Sequence, residues 1–344
     1  MLSQRFKNDG KPIFYLNELQ KEIKKRIEEK IKRGIYSFEK VDCLVCKDSD
    51  LELLSEKDRY GLYHPVVICK NCGLIQQNPR MNQKSYNYFY ESEYRRLYGG
   101  ENMPTNEFFA DQYDRGKSIY IYLKDNLSID LTNLKILEIG TGAGGILQYF
   151  KEKDNEIFGI DLDSEYIKFG KNKYNLNLKV GTLNDVTIPW IPDIIIYSHV
   201  FEHLLNPVEE LIRLKSLISE NSYLYIEVPG IKNLAHSYGT DFLKSLQNAH
   251  IYYFTLTTLK NVLKKSGYEH VYGDEFVHSI FKPVTENKKF DFKNDYRETI
   301  TYLKKMEWYR FIPTPYRVKV TTVKLLKSLN LYNFCKKLYH KIKR

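Results

Sequence analysis

Leu137-Glu-Ile-Gly-Thr-Gly-Ala-Gly-Gly-Ile-Leu147 is the stretch on which the fold turns. An apolar strand pattern from Leu134 to Ile139 runs into glycines at 140, 142, 144 and 145, and a helical pattern opens at Gly145. Glycine allows a tight turn and lets a ligand come close to the backbone. The helix N-terminus that follows offers unpaired N–H groups and a partial positive charge, to which a carboxylate or a phosphate can dock. By itself the loop leaves the ligand open. Gly140, Gly142 and Gly145 fit a dinucleotide fingerprint, with Asp161 standing where a ribose-binding acid belongs. Glu138, Gly140, Gly142 and Gly144 also give the order acid-x-Gly-x-Gly-x-Gly.

Outward from the loop, helix and strand patterns alternate. Phe108–Leu127 is expected to be helical, Glu156–Asp161 a strand, Ser164–Tyr174 a helix, Leu178–Val180 and Asp193–Ser198 strands, Pro207–Ile218 a helix and Ser222–Val228 a strand. Thr255–Ser266 reads as a helix stopped by Gly267, and strand-like runs follow near 269–272 and 276–281. Such alternation predicts a mainly parallel sheet covered by helices on both faces.

The ordered motifs over residues 134–281 resemble a class I S-adenosylmethionine-dependent methyltransferase. The resemblance implies a Rossmann-like α/β domain. It also implies a cofactor site built from Glu138, Gly140, Thr141, Gly142 and Gly144, with Asp161 on the ribose hydroxyls and Leu162 beside it. Gly181-Thr-Leu-Asn-Asp185 corresponds to the segment lining the adenine, with Thr182 where the family often has Asp, so Leu183 or Asn184 is left to supply that contact. Ser198 ends the strand that leads to the reactive sulfonium. His250-Ile-Tyr-Tyr-Phe-Thr255 resembles a closing segment of the same family.

Methyl transfer to a hydroxyl requires an aligned acceptor and a place for its proton. The candidates near the carboxyl end of the sheet are His199, Glu202, His203 and His250. His199 or His250 is expected as the base, with Glu202 orienting a histidine or the substrate. Alternatively, Glu202 and His203 simply brace the next helix. Glu202 and His203 offer metal assistance without a full ligand set. No Asn/Asp-Pro-Pro-aromatic motif follows the fourth strand, which argues against amino methylation of nucleic-acid bases.

Four of the five cysteines form two Cys-x-x-Cys pairs, Cys43/Cys46 and Cys69/Cys72, separated by 22 residues. Two such knuckles predict a closed, structural four-thiolate zinc site. His64 reads as an ordinary loop histidine. Cys69-Lys-Asn-Cys-Gly-Leu-Ile-Gln-Gln-Asn-Pro79, with Tyr94-Arg-Arg-Leu-Tyr98 beyond it, resembles the front part of a bacterial methyltransferase subfamily. That subfamily carries a zinc ribbon and is associated with surface-polysaccharide and sugar modification. The resemblance implies a small-molecule or glycan acceptor, free or lipid-linked.

The remaining segments complete the expected plan. Residues 1–40 hold an amphipathic helix over 13–33, residues 41–80 the cysteine module, and residues 81–115 a Tyr-rich linker or lid. Residues 116–282 form the cofactor domain and residues 283–344 a basic helical extension. The net charge is +10, and ten lysines and arginines with no acidic residue follow Glu307, so the body before them is formally neutral. The extension has three readings: a basic helix on an anionic membrane, an RNA contact, or a segment packed on the body. A neutral body makes nucleic acid the weaker partner. With no apolar leader and no run long enough to span a bilayer, the expected location is cytoplasmic, with peripheral attachment at the inner membrane surface left open.

Overall fold

The computed structural model describes residues 1–99, 104–284 and 290–311. Of the extension expected over 283–344, residues 285–289 and 312–344 lie outside the described residues, and with them the membrane and RNA readings of its basic end.

The front of the chain opens with α1 (Glu18–Lys32), shorter than the periodicity suggests because Asn17 caps it and forms a reciprocal capping box with Gln20. Its apolar face buries Ile23 and Ile27. Five strands follow: β1 (Phe38–Glu39), β2 (Leu51–Lys57), β3 (Tyr63–Cys69), β4 (Ile75–Gln77) and β5 (Arg80–Met81). The Tyr-rich stretch is not a loose linker. It is a near-continuous helical strap: α2 (Gln83–Phe89), a π-helical stretch Tyr90–Tyr94, and α3 (Arg95–Gly99). Asn82 caps the strap, and burial of Tyr86, Phe89 and Leu97 outweighs the modest helix propensity of its tyrosines.

The second part runs α4 (Asn106–Asn126), β6 (Lys135–Ile139), α5 (Gly145–Lys151), β7 (Glu156–Asp161), α6 (Ser164–Tyr174), β8 (Leu178–Val180) and β9 (Ile194–Ser198). It continues with α7 (Pro207–Lys215), β10 (Tyr223–Glu227), α8 (Leu234–Ser237), α9 (Phe242–Ser245), β11 (Tyr252–Tyr253) and α10 (Leu256–Lys265). The last described elements are β12 (Tyr268–Gly273), β13 (His278–Pro283) and α11 (Tyr296–Tyr309). The 7-stranded sheet has the order β12-β13-β10-β9-β6-β7-β8. It is parallel except at β13, which pairs antiparallel with both β10 and β12. Two boundaries expected from sequence fall inside elements: α4 spans 115/116 and β13 spans 282/283.

Alternate strand residues face two cores. Ile136, Ile157, Ile194 and Ile196 pack with Phe109, Ile119, Ile146 and Phe150 of α4 and α5. On the other face, Leu137, Phe158, Ile195 and Leu224 belong to a cluster that continues through Leu259 and Val262 of α10 into Cys43, Cys69, Cys72 and Ile27. The front module therefore shares a core with the sheet. It also shares a sheet: β11 pairs with β4, giving a 4-stranded sheet of order β11-β4-β3-β2. His64 is a strand residue of that sheet, fully buried, with Nε2 2.7 Å from the Tyr253 hydroxyl.

Candidate functional site

The glycine loop is cinched by two acids from adjacent strands. Asp161, at the end of β7, accepts the Gly142 N–H at 2.8 Å through Oδ2 and the Asp163 N–H at 2.8 Å through Oδ1. Glu138, on β6, is buried and accepts the Thr141 hydroxyl at 2.7 Å. Burial is the main cause that pushes its carboxyl up, to about 8. Gly142 and Gly144 have φ of +54° and +82°, and Gly144 caps α5 in the left-handed region. A Cβ at Gly142 would lie 2.9 Å from the Gln112 amide nitrogen. Gly140 turns the chain directly after β6. Leu162 follows Asp161 and is 63% exposed. An acid at the end of the second strand, an exposed apolar residue beside it and a bare backbone loop fit a nucleoside with an attached amino-acid moiety. The adenine segment is less open. The Thr182 hydroxyl is engaged by Asp185 at 2.7 Å. Leu183 is a core residue whose carbonyl accepts the Arg213 Nε–H at 2.9 Å.

Arg95, which sequence reasoning passed over, reaches this site from the strap. Its Nε lies 2.6 Å from Asp163 Oδ2, its Nη2 lies 3.5 Å from Asp161 Oδ1, and its guanidinium stacks 3.9 Å from the Tyr166 ring centroid. The strap's Tyr90 and Tyr94 rings meet the His203 ring edge-on at 5.9 and 5.6 Å. The strap thus spans from the cofactor acids to the histidine cluster. The only sequence signal was the Arg pair set among tyrosines.

β9 ends at Ser198, whose hydroxyl donates to Glu227 Oε2 at 3.1 Å. His199 then takes φ +54°, unusual for a non-glycine residue, and the chain turns through Phe201–His203. This turn presents His199 to two carboxylates: Nε2 lies 3.3 Å from Glu227 Oε1 and Nδ1 3.6 Å from Glu202 Oε1. Burial would lower the imidazole, but the facing carboxylates of Glu202 and Glu227 outweigh it and push His199 up to about 9. Burial would likewise raise Glu227, but the imidazolium holds it down to about 2. Glu227 was also missed in the sequence. Its signal was an acid closing the apolar strand Tyr223–Glu227.

His203 and His250 behave in the opposite way. Burial lowers both, His250 well below the ordinary range. His203 Nδ1 faces the Ala249 carbonyl at 3.0 Å, and Ile251 N–H donates to the Glu202 carbonyl at 2.9 Å, which ties the two segments together. His203 Nε2 and His250 Nε2 stand 3.7 and 3.8 Å from Glu202 Oε1. The structure therefore joins Glu202, His203 and His250 into one buried group and sets His199 against Glu227 at its edge.

The four cysteine sulfurs lie within 4.8 Å of one another, with Cys43–Cys72 at 3.3 Å and Cys46–Cys69 at 3.4 Å. A four-thiolate tetrahedron with bonds of about 2.3 Å has edges of about 3.8 Å, so the set fits a cation of that kind. Each knuckle turns through a left-handed residue directly after its second cysteine, Lys47 at φ +62° and Gly73 at φ +82°. A Cβ at Gly73 would lie 2.6 Å from the Asp295 backbone, so the second knuckle packs tightly against the segment leading into α11.

Residues 107–272 match the family model described as "Methyltransferase domain". A protein of Invertebrate iridescent virus 6, named as an inferred methyltransferase, is 30% identical over 105 residues. The match covers 30% of this chain and 39% of the viral protein. Among solved structures, the 1,6-didemethyltoxoflavin-N1-methyltransferase of Burkholderia thailandensis is 13% identical, with a TM-score of 0.44, over 64% of this chain and 96% of that one. A SAM-dependent methyltransferase from Aquifex aeolicus is 21% identical, with a TM-score of 0.37, over 47% of this chain and 86% of that one. Among the described residues, no helix is long and apolar enough to cross a membrane.

Proposed function

We propose that this chain methylates a sugar or glycan-type acceptor, at oxygen or carbon, and that its four cysteines hold a structural zinc ion. S-adenosylmethionine, when bound, supplies a methyl group already activated on a sulfonium. Asp161 would grip the ribose hydroxyls, and the 140–145 loop would receive the methionine end. The observation that carries the reading is the buried group of Glu202, His203 and His250 at the carboxyl end of β9. It gives an acceptor hydroxyl an electron-rich centre to turn its proton toward. The protonated His199, held by Glu227, sets positive charge at the edge of that centre, where an acceptor's oxygen atoms would approach. The resemblance of Cys69–Pro79 to the front part of sugar-modifying methyltransferases supports the acceptor class, as does the formal neutrality of the body. The cysteine set closes on itself and leaves no open position, which suits a structural ion.

Calorimetry with S-adenosylmethionine on the wild type and Asp161→Ala, followed by methyl-label transfer to nucleotide sugars, glycans and RNA, tests the reading. Micromolar binding lost in the variant and label on a sugar are the expected results. Label on RNA alone, or binding of NAD in place of S-adenosylmethionine, overturns it.

A further inference from the structure

We propose that Glu202, His203 and His250 bind a divalent metal ion of the zinc class, as a second metal site distinct from the four cysteines. The three donors come from two segments that packing brings together. Glu202 and His203 sit on the turn after β9, and His250 precedes β11. All three side chains are buried. Their ligand atoms lie within 4.8 Å of one another.

The protonation pattern follows from the hydrogen bonds. His203 Nδ1 faces a carbonyl, so it carries the hydrogen and leaves a lone pair on Nε2. Arg59 Nη2 donates to Gln247 Oε1 at 3.0 Å, which turns the amide nitrogen of Gln247 toward His250 Nε2. That nitrogen donates, so His250 Nε2 is also a lone-pair acceptor. The His203 lone pair therefore faces a carboxylate, the His250 lone pair is held by the Gln247 amide, and neither Glu202 oxygen accepts a hydrogen bond despite being buried. A buried carboxylate that lacks a hydrogen-bond donor and faces the His203 lone pair is satisfied by a cation set between them.

The spacing suits a cation. Glu202 Oε1 lies 3.7 and 3.8 Å from the two Nε2 atoms, beyond hydrogen-bond length. Bonds of about 2.1 Å at a tetrahedral angle place donors about 3.4 Å apart, so a small contraction closes the site. The His203 Nδ1–carbonyl bond is the outer-shell contact that orients a metal-bound imidazole. Ligation by His250 requires the Gln247 amide to swing off its Nε2. Two histidines and one carboxylate leave a coordination position open. With an ion in place, an acceptor hydroxyl would be polarised by the metal, a use that rests on the proposed function, whereas occupancy of the site does not.

The test is zinc content by plasma mass spectrometry, on full-length protein loaded with Zn²⁺ and dialysed against metal-free buffer. Wild type should hold one zinc per chain more than Glu202→Gln and than His250→Gln, with circular dichroism confirming that each variant is folded. Equal counts overturn the proposal. Should a variant fail to fold, anomalous diffraction at the zinc edge from zinc-soaked wild-type crystals decides. A peak bonded to Glu202, His203 and His250 supports the site, and no peak there refutes it. Methyl transfer without the extra zinc would leave the function standing and remove the site. The extra zinc without methyl transfer would do the reverse.

Discussion

Glu138 and Asp161 stand on neighbouring strands of the sheet and hold the same loop. Asp161 accepts two backbone N–H groups. Glu138 is buried with one hydroxyl donor, and its carboxyl rises from an ordinary 4.5 to about 8. The folded state therefore keeps a proton that the unfolded chain releases, and the stability this proton confers is lost as pH rises from about 4.5 through about 8. Glu138→Gln should retain the acceptor for Thr141 and remove this dependence. Thermal melts at pH 5.5 and 8.5 should show the wild type losing more stability across the interval than the variant. Parallel losses would refute a protonated Glu138.

Between elements, α4 packs tightly against α5. Gly116 lies in α4, and a Cβ there would stand 2.8 Å from the Ile146 carbonyl and 2.9 Å from its Cα. Two effects oppose each other in Gly116→Ala. Helix propensity favours alanine by about 1 kcal/mol, whereas overpacking against backbone costs about 1–3 kcal/mol. Because the obstructing atoms are backbone and cannot rotate away, overpacking should win. The melting temperature should fall, and S-adenosylmethionine affinity should weaken, because α5 opens from the glycine loop. An unchanged or raised melting temperature would show that α4 can retreat freely.

Across the whole molecule, one hydrophobic cluster runs from α1 through the cysteine knuckles to one face of the 7-stranded sheet. Loss of zinc from the four cysteines, or Cys69→Ser, should therefore not release a separate small domain. Differential scanning calorimetry should show one cooperative transition shifted to lower temperature by chelator, since structural zinc contributes folding energy directly. A second transition that keeps the wild-type temperature would refute this coupling. The shared sheet, in which β11 extends β4, makes the same prediction from hydrogen bonding.

Local pattern was sufficient to expose the strand–loop–helix at 134–147, the alternation that follows it and the two cysteine knuckles. Periodicity, glycine placement and a two-residue cysteine gap all act within a few residues of chain. What packing alone decided are the relations between distant segments. His250 meets Glu202 because β11 leaves the methyltransferase domain to pair with β4, a register no local pattern encodes. Arg95 reaches Asp161 because the Tyr-rich stretch coils into a strap rather than a linker. His199 is pushed up, and His203 and His250 are pushed down, because burial and the carboxylates within 4 Å set the proton's free energy. Residue type in the sequence supplies the candidates for proton and metal chemistry. Desolvation and distance, which exist only in the folded chain, assign their states.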